Sequence, residues 1–251
     1  MEYVPIATTL RGDVQCLYQL GRCSGILGVG DLLGFCEELL NDRSLVDSFE
    51  ETVARVPTWK TKHFHSVFDF RLIRLLIYAL VRAVRPRLFV ETGVLHGMTS
   101  AFILLALERN GSGALLSVDL PSFFETGPAN QDGYHATLPP GEAPGWLIPS
   151  SLRQRWTLHP GASCDVLPTV LQPADSIDIF FHDSEHTYRT MWFELEFAWL
   201  HLREGGVLLC DNIDSNSSFF DFCRRVGRYP LVLPSPDEHC HDAVRMGIIV
   251  R

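Results

Sequence analysis

The sequence lacks an excess of positive charge. Lys plus Arg number 21 against 30 Asp plus Glu, a net charge of −9. Such a surface repels phosphate backbones and anionic lipid, so neither a nucleic-acid nor a membrane partner is expected. A disulfide or zinc framework is lacking too. The seven cysteines (Cys16, Cys23, Cys36, Cys164, Cys210, Cys223 and Cys240) are odd in number and contain no C-x-x-C pair. That pattern fits reduced thiols in a cytoplasmic protein. No long uncharged hydrophobic run occurs. The greasiest stretch, 72–90, carries Arg74, Arg82, Arg85 and Arg87, which a membrane span tolerates badly, and reads as a buried amphipathic helix running into a strand. The opening MEYVPIATTLRGD has an early acid and no basic n-region, so no signal peptide is expected. Repeats and low-complexity tracts are absent.

What remains is ordinary for a globular chain: 251 residues, 46% hydrophobic, 20% charged and 11% aromatic. This suits one α/β domain with a small extension and a core that needs no staples. Residues 1–65 read as a helical cap, with helical period in the run that starts at Asp31. That cap could pair two subunits in a homodimer or cover one site. A further helix is expected over 67–84, stopped by Pro86. Beyond it, over 66–251, short apolar runs alternate with helical segments, the pattern of parallel βα units. Strands are expected at 87–91, 115–119, 156–159, 177–182, 206–211, 231–233 and 245–250. Helices should follow Gly97, Asp165, Tyr188 and Ser217. The stretch 121–150 holds six prolines and reads as one long irregular loop, either a lid or a surface insertion.

Three constellations carry chemistry. The first is Glu91-Thr92-Gly93-Val94-Leu95-His96-Gly97-Met98-Thr99-Ser100, between a strand and a helix. Its glycines admit close backbone approach, and the helix N-terminus offers free N–H groups. It matches neither the dinucleotide fingerprint nor a P-loop. The second is Asp119 at the tip of the next strand, where an acid can hydrogen-bond ribose hydroxyls. The third joins Asp183 and His186, after the 177–182 strand, to Asp211 and Asn212, at the end of the 206–211 strand. Two carboxylates and an amide oxygen at neighbouring strand tips make a hard-oxygen set suited to Mg²⁺.

The spacing Glu-Thr-Gly-x-x-x-Gly-x-x-Ser followed by the strand-end Asp119 resembles the class I methyltransferases that use S-adenosylmethionine. That resemblance, over roughly 66–251, implies a Rossmann-like α/β fold with a mostly parallel seven-stranded sheet. It implies cofactor contacts at Glu91, Gly93, Gly97, Ser100, Asp119 and Asp183. The segment Gly161-Ala162-Ser163-Cys164-Asp165 resembles the turn of the catechol O-methyltransferase group in which a Ser contacts adenine; Ser163 matches, and Cys164 stands where that group often has Gln. The order Asp183…Asp211-Asn212 resembles the metal triad of the same group, which places a catalytic Lys where this chain has His186. The Asp-x-x-His-x-Tyr stretch Asp183–Tyr188 is similar to the macrocin O-methyltransferase and cephalosporin-cluster branch. The resemblance therefore implies a cytoplasmic enzyme that methylates a small-molecule hydroxyl, with Mg²⁺ on Asp183, Asp211 and Asn212 and with His186 as base. A metal-free N-, O- or C-methyltransferase and a binding module without turnover stay open as alternatives.

Other features have competing readings. His182-Asp183-Ser184-Glu185-His186 fits H-x-x-E-H, an inverted zinc-peptidase pattern that needs a helix, yet it follows a strand-like run. His239-Cys240-His241 reads as a surface loop. His63 and His65 could line a substrate mouth. Trp192, Phe193, Phe197 and Trp199 have the spacing of a buried helix face. Phe219, Phe220 and Phe222 suit either core or a substrate wall.

Overall fold

The computed structural model describes residues 29–56, 72–120, 138–139, 141–172, 175–234 and 245–251. The expected domain boundary at 65/66, His63, His65, the 239–241 cluster, Cys16, Cys23 and Cys240 lie outside them.

Seven strands form one sheet: β1 (Leu88–Thr92), β2 (Ala114–Asp119), β3 (Trp156–Pro160), β4 (Ile177–His182), β5 (Leu202–Cys210), β6 (Leu231–Pro234) and β7 (Arg245–Val250). Their order is β3-β2-β1-β4-β5-β7-β6. The strands β1 to β5 run parallel, and β7 is antiparallel to both β5 and β6. This is the expected Rossmann-like sheet. Parallel strands covered on both faces need apolar side chains all along, and β4 is buried at every position. The main departure is β5, which begins at Leu202 and not at 206. Leu202 pairs with Ile177, and the register then shifts between Ile177 and Ile179. Gly205, at φ +71, and Gly206, where a Cβ would meet the Arg203 carbonyl at 2.9 Å, allow that bulge.

The helices are α1 (Val29–Leu40), α2 (Ser44–Ala54), α3 (Leu72–Val84), α4 (Met98–Asn110), α5 (Ser163–Val170), α6 (Tyr188–His201) and α7 (Ser218–Val226). The helix α3 stops at Val84, ahead of Pro86, because proline cannot continue a helix. Leu32, Cys36, Leu39, Leu45 and Phe49 of α1 and α2 lie in the same core cluster as Tyr78, Phe89 and Phe102. A polar seam closes over them. Glu38 accepts from the Tyr78 hydroxyl at 2.8 Å and from Arg82 at 3.1 Å, and Arg109 pairs with Glu38 and Asp42. The N-terminal helices are thus one layer of the α3–α4 side of the sheet. The buried face of α6 is Met191, Glu194, Leu195 and Ala198; Trp192, Phe193, Phe197 and Trp199, expected there, are half-buried and pack against the edge of the second core cluster on the other side. Phe219 and Phe222 are buried there and do not form a substrate wall; Phe220 is exposed.

Part of 121–150 departs from the loop expectation. Leu138, Trp146, Leu147 and Ile148 are buried in the first core, and a 3₁₀ turn (Ser150–Arg155) leads into β3.

A shared core predicts shared melting. Phe49 is 1% exposed and meets Phe102 edge-on at 6.2 Å. Phe49→Ala should cost about 3–5 kcal/mol and lower a single cooperative transition in calorimetry. A separate early transition for the N-terminal helices, with the rest unmoved, is the contrary result.

Candidate active site

The strand order reverses beside β1, whose connections go to β2 on one side while β4 lies on the other. In open α/β sheets the crevice at such a point, outside the carboxyl ends of the strands, holds the ligand. Three motifs meet there. The Asp183 N–H donates to the Thr92 carbonyl, and the Asp211 N–H donates to the His182 carbonyl, each at 2.9 Å. The tips of β1, β4 and β5 are therefore laced together. At Gly93, with φ +86, an added Cβ would lie 1.9 Å from the Asp183 carbonyl oxygen. Only glycine lets the β1 turn pass so close to the β4 tip.

The glycine loop is fixed from beneath by acids. Glu91 is fully buried; its Oε1 accepts from Ser100 at 2.6 Å and from Ser117 at 2.5 Å. Among the described residues its buried Oε2 has no hydrogen-bond partner. Burial, opposed by the two serine hydroxyls and assisted by nearby Asp119, pushes the Glu91 carboxyl up to about 7. Asp119 accepts from the Leu95 N–H at 2.8 Å and from the Leu120 N–H at 3.0 Å. Burial raises its carboxyl to about 6 against those bonds. Leu95 takes φ +48, an unfavourable conformation for a branched side chain that the Asp119 bond helps to hold. Ser100 and Asp119 thus point at the loop's own scaffold.

The described part of the long loop is a strap over that turn. The Gly145 N–H donates to the Leu95 carbonyl at 2.8 Å, and the Leu147 N–H donates to the His96 carbonyl at 3.1 Å. Trp146 Nε1–H donates to His96 Nδ1 at 3.0 Å, which requires a neutral acceptor nitrogen; burial holds His96 down at about 4. Gly97 faces the Gly145 Cα, which a Cβ would meet at 2.6 Å.

Opposite the loop, Asp183 and Asp211 share a side-chain hydrogen bond, and both carboxyls are raised, chiefly by burial. For Asp183 the neighbouring Asp211 and Glu91 add to the rise, and Arg74 opposes it. About a third of the Asp183 side chain opens into the crevice. Asp211 Oδ1 and Asn212 Oδ1 are buried with no hydrogen-bond partner among the described residues, and Asn212 takes φ +50, a conformation that Asn tolerates. His186 Nε2 lies 3.9 Å from Asp183 Oδ1, and its Nδ1 lies 3.4 Å from Asn212 Nδ2. Oxygen atoms left wanting a donor or cation, on the expected triad, fit a hard divalent ion. Among the described residues no group of three or more His, Cys, Asp and Glu gathers as a metal site; the triad has two acids and an amide.

Two residues were not picked out as site residues. Glu194, on α6, is fully buried beneath the crevice, and its Oε2 lies 2.6 Å from His182 Nδ1. It also accepts from Thr92 and, at 2.6 Å, from Ser184. The one available signal was an acid set inside an aromatic helical face. His182 is the buried last residue of β4, and residues 183–187 are not helical. The H-x-x-E-H peptidase reading therefore fails, because its two histidines need one helix face. Ser163 opens α5, and its hydroxyl bonds to Glu194. Cys164 beside it is exposed.

Residues 90–213 match the model of a methyltransferase domain family. Solved structures share the fold. A candidate O-methyltransferase from Klebsiella pneumoniae is 17% identical, with TM-score 0.55 over 84% of this chain and 92% of that one. The O-methyltransferase TomG from Streptomyces achromogenes, involved in tomaymycin synthesis and bound to S-adenosylmethionine, is 15% identical with TM-score 0.53 over 84% and 92%. An O-methyltransferase from Bacillus cereus in complex with S-adenosylhomocysteine is 16% identical with TM-score 0.51 over 83% and 91%. No curated protein matches the chain by sequence. Among the described residues no helix is long and apolar enough to cross a membrane.

The Glu91 environment sets a pH dependence. Its folded carboxyl titrates near 7 and its unfolded one near 4.3. The folded state keeps the proton longer, so this group's stabilisation is full below about 4.3 and is lost as pH rises to about 7. Glu91→Gln should abolish that loss and gain on the wild type by up to about 3 kcal/mol across the window. Urea unfolding at a series of pH values measures it; parallel stability curves for the two proteins would refute the burial argument.

Proposed function

We propose that this chain, a methyltransferase by the domain its residues 90–213 match, moves a methyl group from S-adenosylmethionine to a hydroxyl of a small molecule in the cytoplasm. One observation carries the reading. The Glu91–Gly97 loop, with a buried acid oxygen that no described residue bonds, packs directly against the Asp183 end of β4, beside the strand tip that carries Asp211 and Asn212 and next to His186. The methyl donor or its product is bound in two structures that share this fold, which supports the cofactor, and O-methyl transfer is the activity named for them.

Each residue then has a task. Glu91 Oε2 accepts from the ammonium of the cofactor's amino-acid end. Gly93 and Gly97 let the backbone approach the cofactor, with Ser100 acting through Glu91. Asp119 spends one lone pair of each oxygen on the loop amides and keeps others for ribose hydroxyls. Ser163 and Cys164, at the start of α5, border the adenine. Asp183, Asp211 and Asn212 would hold Mg²⁺ or a similar divalent ion. Such an ion, when bound, polarises the acceptor hydroxyl as a Lewis acid. His186 Nε2 takes the hydroxyl proton, and the Asp183 carboxylate 3.9 Å away stabilises the imidazolium. The acceptor oxygen bonds to the methyl carbon as the carbon–sulfur bond breaks, leaving S-adenosylhomocysteine. Alignment of the two substrates supplies much of the rate.

A metal-free transfer is the second reading. It is favoured by the hydrogen bond between Asp183 and Asp211, since two acids sharing a proton need no cation.

Calorimetry should detect S-adenosylhomocysteine binding and no NAD binding; the reverse would sink the cofactor assignment. Asp211→Ala should abolish activity together with any stimulation by Mg²⁺. His186→Ala should keep cofactor binding, lose about 10²–10⁴-fold in kcat, and recover partly at high pH as the hydroxyl ionises unaided. Full wild-type activity in excess EDTA would leave the metal-free reading.

A further inference from the structure

Glu194 binds more of the site than any residue that faces the crevice. Its carboxylate holds Thr92 at the tip of β1, His182 at the tip of β4, Ser184 just after Asp183, and Ser163 at the start of α5. Glu194 and His182 are both fully buried. A buried carboxyl is expected to stay neutral, yet the bonds from His182, Ser163 and Ser184 overcome burial and hold this one below its ordinary value. With Nδ1 on the carboxylate, the His182 ring has one orientation. It stands edge-to-face on His186, centroids 5.4 Å apart at 83°. Among the described residues its buried Nε2 has no hydrogen-bond partner, so none of them competes with Glu194 for a polar contact to the ring. Thr92 and Ser184, also held by Glu194, flank the reacting residues as well: the Thr92 carbonyl receives the Asp183 N–H, and Ser184 follows Asp183 directly.

We infer that Glu194 and His182 form a buried positioning pair, in which the carboxylate fixes the His182 ring and that ring, with Thr92 and Ser184, sets the orientation of His186 and Asp183. Neither residue touches substrate. Through Ser163 the same carboxylate joins the α5 end of the crevice to the reacting end. The inference rests on the methyl-transfer reading only for what His186 then does.

Glu194→Gln tests it, since the amide keeps the shape and one acceptor oxygen but cannot serve all the donors. In wild-type protein, proton NMR should show a far-downfield, exchange-protected imidazole N–H, assigned to His182 by its loss in His182→Gln. In Glu194→Gln that resonance should vanish and the His186 ring resonances should shift and broaden. The affinity for S-adenosylhomocysteine should stay within about threefold, and kcat should fall about 10–100-fold at nearly constant acceptor KM, the signature of lost alignment and not of lost binding. Glu194→Asp, which keeps the charge, should restore part of kcat. Unchanged His186 resonances or unchanged kcat in Glu194→Gln would overturn the inference, as would the absence of the downfield N–H from wild-type protein, a measurement that stands even if the variant does not fold. A responding His186 in a wild type that methylates no acceptor would uphold the pair and overturn the methyl-transfer reading instead.

Discussion

Four carboxyl groups crowd the carboxyl ends of β1, β2, β4 and β5, and burial raises all of them. Burying an acid without a cation is costly, and the group keeps its proton where it can. At Glu91 two serine hydroxyls, and at Asp119 the loop amides, oppose that rise without cancelling it; at Asp183 the neighbouring Asp211 adds to it. Such an arrangement is strained as long as it stands alone. An ammonium, a sulfonium or a divalent ion entering the crevice relieves it. Cationic ligands are thus favoured by the same burial that raises these carboxyls.

The rest of the fold keeps that crowd in place. The lateral bonds from Asp183 to Thr92 and from Asp211 to His182 fix the strand tips with backbone alone, which leaves the side chains for chemistry. Gly93 permits the closest of these approaches. Above the glycine loop the Gly145–Leu147 strap closes Leu95 and His96; beneath the crevice Glu194 ties β1, β4 and α5. The helices α1 and α2 add apolar cover to α3 and α4, so the loop at the head of α4 rests on a deep core.

Much of this was legible in the sequence. Doubly covered parallel strands are short apolar runs between helical segments, and β1 to β5 were readable as such, as were the antiparallel runs β6 and β7 and Asp183, Asp211 and Asn212 at the strand tips. Direction was not legible. Spacing places Ser100 and Asp119 near the loop, and only the packing turns their oxygens onto Glu91 and onto the Leu95 amide. Composition misled at 141–148, where proline and glycine suggest an open loop while Trp146, Leu147 and Ile148 fill the core. The expected strand start at 206 came four residues late, because β5 runs through Gly205 and Gly206 as a bulge. Glu194 was hidden because helical period marks a face and not a polar centre within it. His182 drew attention to a zinc motif that its strand cannot support.

Acids whose carboxyls burial raises line the crevice and favour a cationic ligand. Calorimetric titration of the protein in EDTA with S-adenosylhomocysteine, in two buffers of different ionisation enthalpy, counts the protons exchanged on binding. Glu91, titrating near 7, should release up to about one proton at pH 6 when it meets the ligand's ammonium, and almost none at pH 8.5. Binding at pH 6 with no proton release, or with uptake, would contradict the account.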